Sequence, residues 1–139
     1  MTEKVFIEIE GRQPGSGDEP IETRLQGRYG LINGSHCISY EERLSDGNIS
    51  KNIIKAAADR VTVSRKNGLD TRLVFAQGKI TGADYHTPYG SISMSIRTKS
   101  ITVVNNPDLI EISLEYSLLS GESLISDNQL KIRITPLQA

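Results

Sequence analysis

Apolar side chains occur at every second position in short runs along the chain, and turn-forming residues separate the runs. Near the N-terminus Val5, Ile7 and Ile9 share one face, while Phe6 and Glu8 lie on the other. A period of two places successive side chains on opposite faces of a β-strand. Each run therefore predicts a strand with one buried face, and Phe6 is an aromatic exception on the polar face.

The segments between the runs contain residues that favour tight turns. Asn33-Gly34 and Asn67-Gly68 each supply two residues that tolerate a positive φ, as a two-residue hairpin requires, and Asp46-Gly47 is a further turn signal. Successive strands joined in this way are antiparallel neighbours. The chain is therefore predicted to be all-β, with about 8 to 10 strands in one closed or nearly closed up-and-down barrel. A β-sandwich is the alternative architecture.

Asn48 to Ala58 fits two kinds of secondary structure. Ile49, Ile53, Ile54 and Ala57 have helical spacing, and the segment carries three consecutive alanines. The flanking segments alternate with period two, and an isolated helix would interrupt their pairing. We therefore predict a strand here.

Length and composition predict one soluble domain spanning residues 1–139. The chain is 37% hydrophobic and 24% charged, which is ordinary for a globular protein. Its 16 Lys and Arg residues nearly balance its 17 Asp and Glu residues, so no net positive field favours nucleic acid as a partner. No apolar segment approaches the roughly 20 residues needed to cross a bilayer, which argues against a membrane location.

The single cysteine, Cys37, excludes an internal disulfide framework and fits a reducing compartment. The N-terminal residues have no basic segment followed by an apolar run, so no secretory signal is expected. These features together predict a cytoplasmic protein.

Several short motifs resemble the YwiB-like bacterial domain of unknown function, and the match covers nearly the whole chain. Their order and spacing carry the resemblance, which rests on Gly30, Tyr40-Glu41-Glu42, Arg65 with Gly68, Arg72-Leu73-Val74-Phe75, Thr87-Pro88-Tyr89-Gly90 and Asn128-Gln129-Leu130-Lys131-Ile132. Members of this family look like calycin-type barrels, related in shape to lipocalins. The resemblance implies that fold and brings no established activity. By analogy of fold it favours binding of a small apolar ligand inside the barrel.

Two groups of polar residues are candidates for a binding site. Alternation places Tyr40 and Glu42 on the inward face of one strand and Arg65 on the inward face of another. An enclosed carboxylate needs a partner, so one hypothesis is a Glu42–Arg65 pair that includes the Tyr40 hydroxyl. The favoured interpretation is that both charged groups lie at strand ends and reach solvent at the rim of the barrel.

The second group lies within Tyr85-His86-Thr87-Pro88-Tyr89-Gly90. Tyr85, His86 and Tyr89 would line the mouth of the barrel if their side chains cluster. The architectural interpretation is that Pro88 and Gly90 turn the chain into the next strand.

No arrangement of residues matches a catalytic or metal-binding template well. His36, His86 and Glu42 form a conceivable metal set but lack ligand spacing, and Ser91 and Cys37 lack an identifiable base. No cofactor is predicted. The leading hypothesis is small-ligand binding, followed by an interaction module that uses Phe6 or Tyr89, a homodimer being one form of it. An enzyme based on Glu42 and Tyr40 is the least favoured.

Overall fold

The computed structural model describes residues 3–67 and 70–137, apart from the side chain of Thr87, and all regular structure in these ranges is β-strand. Ten strands are found in this part of the chain. They are β1 (Lys4–Arg12), β2 (Ile21–Ile32), β3 (Ser35–Arg43), β4 (Ile49–Ala56), β5 (Arg60–Lys66), β6 (Asp70–Ala76), β7 (Ile80–Thr87), β8 (Gly90–Asn106), β9 (Leu109–Ser120) and β10 (Ser123–Pro136).

The strands form one closed antiparallel barrel in which each strand pairs with its neighbours in sequence. The first and last strands complete the closure, with pairs that include Ile7 opposite Ile134 and Ile9 opposite Ile132. Closure removes the two long edges that an open sheet of this size would expose. The predicted up-and-down barrel is confirmed, and the sandwich alternative is wrong.

Predicted turns form at Asn33-Gly34 and at Asp46-Gly47, where Gly47 has a φ of 88°. Asn33 and Gly34 have φ values of 51° and 80°, as a two-residue hairpin with both central residues at positive φ requires. Asn67 also has a positive φ, 64°. Gly68, its partner in the predicted turn, lies outside the described residues.

Within the ambiguous segment from Asn48 to Ala58, residues Ile49–Ala56 form a strand, β4, as predicted. Ser50, Asn52 and Ile54 are buried at alternate positions, whereas Ile53 is exposed on the opposite face. The helical spacing was misleading because it grouped isoleucines that lie on opposite faces of the strand.

The longest strand, β8, changes its inward face part-way along its 17 residues. Its pairing with β9 shifts between Thr98 and Ser100, which marks a β-bulge at Lys99. Ile96 and Thr98 are buried before the bulge, and Ile101 is buried after it. One extra residue reverses the alternation, so two runs that read as separate strands form one bent strand.

The core fills one end of the barrel. We call this the closed end; it carries the turns after β2, β4, β6 and β8, and we call the opposite end the mouth. Most side chains that point inward near the closed end are essentially inaccessible to solvent, among them Val5, Ile7, Ile38, Ile54, Val61, Phe75, Ile110, Ile112, Ile132 and Ile134. Phe75 also meets the inward ring of Tyr116 edge-on, with 4.8 Å between the ring centroids.

The barrel wall splits between β2 and β3 on the side towards the mouth. The ladder between these strands runs from Arg28 opposite Ser39 to Ile32 opposite Ser35, so Ile21–Gly27 pair only with β1. Gly27 is the last residue of β2 before the ladder to β3 begins at Arg28. A Cβ at this position would come within 2.5 Å of the Ser39 carbonyl oxygen and 2.6 Å of Ile7 Cδ1, so the adjoining backbone leaves room only for glycine.

Candidate functional site at the barrel mouth

Most inward-facing side chains become partly exposed towards the mouth, although Ser50 and Asn52 of β4 stay buried. Along β9, Ile110, Ile112 and Leu114 are buried, but Tyr116 and Leu118 are only half-buried. The wall shields an inward side chain from the sides, so solvent reaches it through the mouth or the split in the wall. We call this group of half-buried inward side chains the cup; its apolar members are Ile9, Leu25, Val63, Leu73, Met94, Leu118 and Leu130.

Glu42 and Arg65 lie towards the mouth and reach solvent, as the rim interpretation expects, and they also form the hypothesised pair. Arg65 Nη2 donates to Glu42 Oε1 at 3.2 Å, and both side chains are about one-third exposed. Arg65 Nε also donates to Asn52 Oδ1 at 3.0 Å. The guanidinium is therefore fixed by a carboxylate and a neutral amide and still faces solvent.

The pair rests on two further polar residues that the sequence analysis missed. Asn52 is 3% exposed and its Nδ2 donates to Ser50 Oγ at 3.1 Å, while the Ser50 hydroxyl donates to the Glu42 carbonyl oxygen at 3.3 Å. Direct cross-strand pairing explains the cluster, because Glu42 lies opposite Ser50 and Asn52 lies opposite Arg65. The signal that would have found them is the alternation of Ser50 and Asn52 with Ile54 once β4 is read as a strand.

Three half-buried tyrosines, Tyr40, Tyr85 and Tyr116, also point inward near the cup. Burial raises the pKa of Tyr40, an effect that the charge of Arg65 opposes and that of Glu42 reinforces. Burial also raises the pKa of Tyr85, and it raises the pKa of Tyr116 to about 12, with a smaller contribution from Tyr85. All three side chains are therefore neutral at physiological pH, able to donate a hydrogen bond without adding charge.

The predicted cluster of Tyr85, His86 and Tyr89 does not form. Tyr85 points into the cup, but alternation turns His86 outward, where its Nδ1 lies 2.8 Å from Ser91 Oγ. Tyr89 is fully exposed in the turn between β7 and β8. Adjacent residues of one strand face opposite sides, so Tyr85 and His86 cannot line the same site.

The two histidines lie at opposite ends of the barrel. His36 is buried near the closed end, with its Nδ1 2.6 Å from the Tyr29 hydroxyl, and burial lowers its pKa. His86 lies near the mouth on the outer face, so the conceivable set of His36, His86 and Glu42 is not brought together. Within residues 3–67 and 70–137, no three His, Cys, Asp or Glu side chains are grouped as metal ligands.

Two clefts adjoin the polar cluster. One lies at the mouth, has a volume of about 890 Å³, and is bordered by Arg65, Asp46, Asp70 and Pro88 among others. The other has a volume of about 720 Å³ and lies over the split between β2 and β3, where Gly27, Tyr40 and Asn52 border it. The cluster can therefore be approached from the end of the barrel and from its side.

The family model described as "Domain of unknown function (DUF1934)" matches residues 7–132. The chain belongs to this family. Its fold is similar to the crystal structure of the ywiB protein from Bacillus subtilis, with a TM-score of 0.84 and 24% sequence identity over 97% of this chain and 92% of that one. No curated protein matches the chain. The resemblance inferred from the motifs is thus confirmed. Membership in a family of unknown function does not by itself assign an activity.

Among the described residues there is no helix of the length and apolar character that a membrane span requires. Phe6, the aromatic exception on the polar face, is half-buried rather than fully exposed.

Proposed function

We propose that this protein binds a small, largely apolar ligand in the cup, in the manner of calycin barrels. The observation that carries the proposal is the change in burial along the inward face. Most inward side chains at the closed end are packed without solvent access, whereas the apolar side chains of the cup are half-buried. Covering half-buried apolar surface with an apolar ligand is a usual source of affinity for small molecules.

The polar cluster specifies one end of the ligand. Arg65 is held by Glu42 and Asn52 through Nη2 and Nε, and its guanidinium is still partly exposed. A carboxylate, sulfonate or similar acceptor at the end of an apolar body would meet a cation that is already oriented. The neutral hydroxyls of Tyr40 and Tyr85 add donors nearby.

A fluorescent probe with this chemistry, 1-anilinonaphthalene-8-sulfonate, tests the proposal. We expect saturable binding to one site in the folded protein. Val63→Trp fills the cup from β5 and should weaken binding at least about tenfold, equivalent to about 1.4 kcal/mol. Thr62→Trp, on the outward face of the same strand, is the matched control and should leave the affinity unchanged.

Arg65→Met separates the polar from the apolar contribution. It should weaken binding of the sulfonate probe more than binding of an uncharged naphthalene of similar size. Equal binding by wild type, Val63→Trp and Arg65→Met, with all three showing cooperative thermal unfolding, would exclude the cup as the site. Native mass spectrometry of the purified protein would then identify any ligand that it already carries.

We also propose a bacterial cytoplasmic location for this family member. Cys37 is the single cysteine of the chain, is not in a disulfide, and lies half-buried on β3. A barrel without disulfide support fits a reducing compartment. Fractionation of cells that express the protein would test this, since recovery in a secreted fraction would contradict it.

A further inference from the structure

The split in the barrel wall leaves one edge of β2 without a ladder partner. Residues Ile21–Gly27 pair with β1 on one side, and the ladder to β3 begins only at Arg28. Both segments lie wholly within the described residues. An edge of this kind presents backbone donors and acceptors to any extended strand that aligns with it.

The sequence along this edge is complementary to itself. If a second copy lies antiparallel with the two-fold axis at Thr23, Glu22 of each copy lies opposite Arg24 of the other. In the same register Ile21 lies opposite Leu25. Opposite charges and apolar pairs placed directly across an antiparallel ladder are favourable.

Pairing of two copies would disrupt few favourable contacts of Glu22 and Arg24 within one copy. Glu22 lies opposite Glu10 in the ladder with β1, so within one copy it faces a like charge. The contacts of Arg24 with Glu8 and Glu22 are 3.6 Å and 3.7 Å long and exposed to solvent. Ile21 is 76% exposed, so its apolar surface gains cover when it packs against a second copy.

We propose that two copies of this chain associate through residues Ile21–Leu25 of β2, in an antiparallel ladder centred on Thr23. This interface joins the barrels beside their mouths and does not require a ligand in the cup, although Leu25 belongs to both. The isologous arrangement satisfies both copies with one set of contacts. Five residues on each side bury less than the roughly 1,200 Å² of a standard interface, so the dimer is weak and depends on concentration.

A charge exchange tests the register directly. Glu22→Arg makes this edge wholly basic, and Arg24→Glu makes it wholly acidic, so each variant alone should be monomeric under conditions in which wild type dimerises. Mixed together, they should form a heterodimer, because each Arg then lies opposite a Glu. The measurement is sedimentation equilibrium at low salt over a range of protein concentrations that reaches about 1 mM, above the Kd expected of a small interface.

Each arm of this experiment has a result that would overturn the proposal. A wild type that stays monomeric throughout the range excludes the dimer. Dimerisation of either single variant at wild-type strength moves the interface elsewhere, and failure of the mixture to associate excludes the register. Circular dichroism melting of each variant verifies the fold, and the double variant Glu22→Arg with Arg24→Glu should recover self-association.

Discussion

Arg65 of β5 donates from Nη2 to Glu42 Oε1 of β3 at 3.2 Å, across the intervening strand β4. Asn52 of β4 lies between them and accepts from Arg65 Nε at 3.0 Å. The charge pair therefore joins three strands on the inner wall of the barrel. It lies towards the mouth, with Arg65 two residues beyond the cup residue Val63 on β5.

The first prediction is an energetic coupling between Glu42 and Arg65. Glu42→Gln and Arg65→Met should each destabilise the protein, and the double variant should lose less than the sum. Because both side chains are about one-third exposed, solvent screening limits the coupling to about 0.5–1 kcal/mol. Urea denaturation of the four proteins measures it, and strictly additive losses would show that the two groups do not interact.

The second prediction compares two threonines that face the interior. The Thr81 hydroxyl donates to the carbonyl oxygen of Val74 on β6, beyond the point where the β6–β7 ladder ends at Leu73 and Ala83. Thr81→Val should cost about 1 kcal/mol because it removes that bond and leaves the carbonyl short of a donor.

Thr98 is the matched control for Thr81. Its buried Oγ1 has no hydrogen-bond partner among the described residues. Thr98→Val should therefore be neutral or stabilising, since it removes a hydroxyl that gains nothing from burial. Chemical denaturation measures both variants, and equal losses would contradict the assignment.

The third prediction concerns the glycine at the split in the wall. Gly27→Ala should cost about 1–3 kcal/mol, because a Cβ at 2.5 Å from the Ser39 carbonyl oxygen forces the backbone to move. Gly30, on the same strand, serves as the control, since a Cβ there would have no atom within 4 Å. Gly30→Ala should leave the melting temperature unchanged or raise it slightly. A similar loss for both variants would mean that the close approach is not responsible.

The fourth prediction is a loss of stability at high pH. Burial raises the pKa of Tyr116 to about 12 in the folded state, above the value near 10 expected when the chain is unfolded. The folded state therefore holds this proton more tightly, and the resulting stability is present below about pH 10 and is lost as the pH rises towards 12. The full difference corresponds to about 2–3 kcal/mol.

Tyr116→Phe should remove this part of the alkaline transition. Urea denaturation between neutral pH and pH 11 compares the variant with wild type. The two proteins should differ little at neutral pH, and the slope above pH 10 should be smaller in the variant. Identical slopes would show that Tyr116 ionises in the folded state as readily as in the unfolded state.

The candidate site was predictable where it depends on alternation within one strand. The inward positions of Tyr40 and Glu42, and that of Arg65 on its own strand, follow from a period of two and need no knowledge of the fold. Asn52 was missed because its segment was predicted to be a strand without an assignment of its inward face, which alternation with the buried Ile54 identifies. The grouping of Tyr85, His86 and Tyr89 was wrong because adjacent residues of a strand face opposite sides, and because Tyr89 is fully exposed in the turn that follows.

The sequence by itself determined the strands, their buried faces and the tight turns, because each of these depends on residues a few positions apart. The tertiary structure decided the rest. Pairing of β1 with β10 closes the barrel across nearly the whole length of the chain, and the bulge at Lys99 and the split at Gly27 arise from how staggered strands meet. The cup exists because those offsets leave the inward side chains packed at one end and half-covered at the other. No local pattern encodes that difference, since the same alternation continues along each strand from the closed end to the mouth.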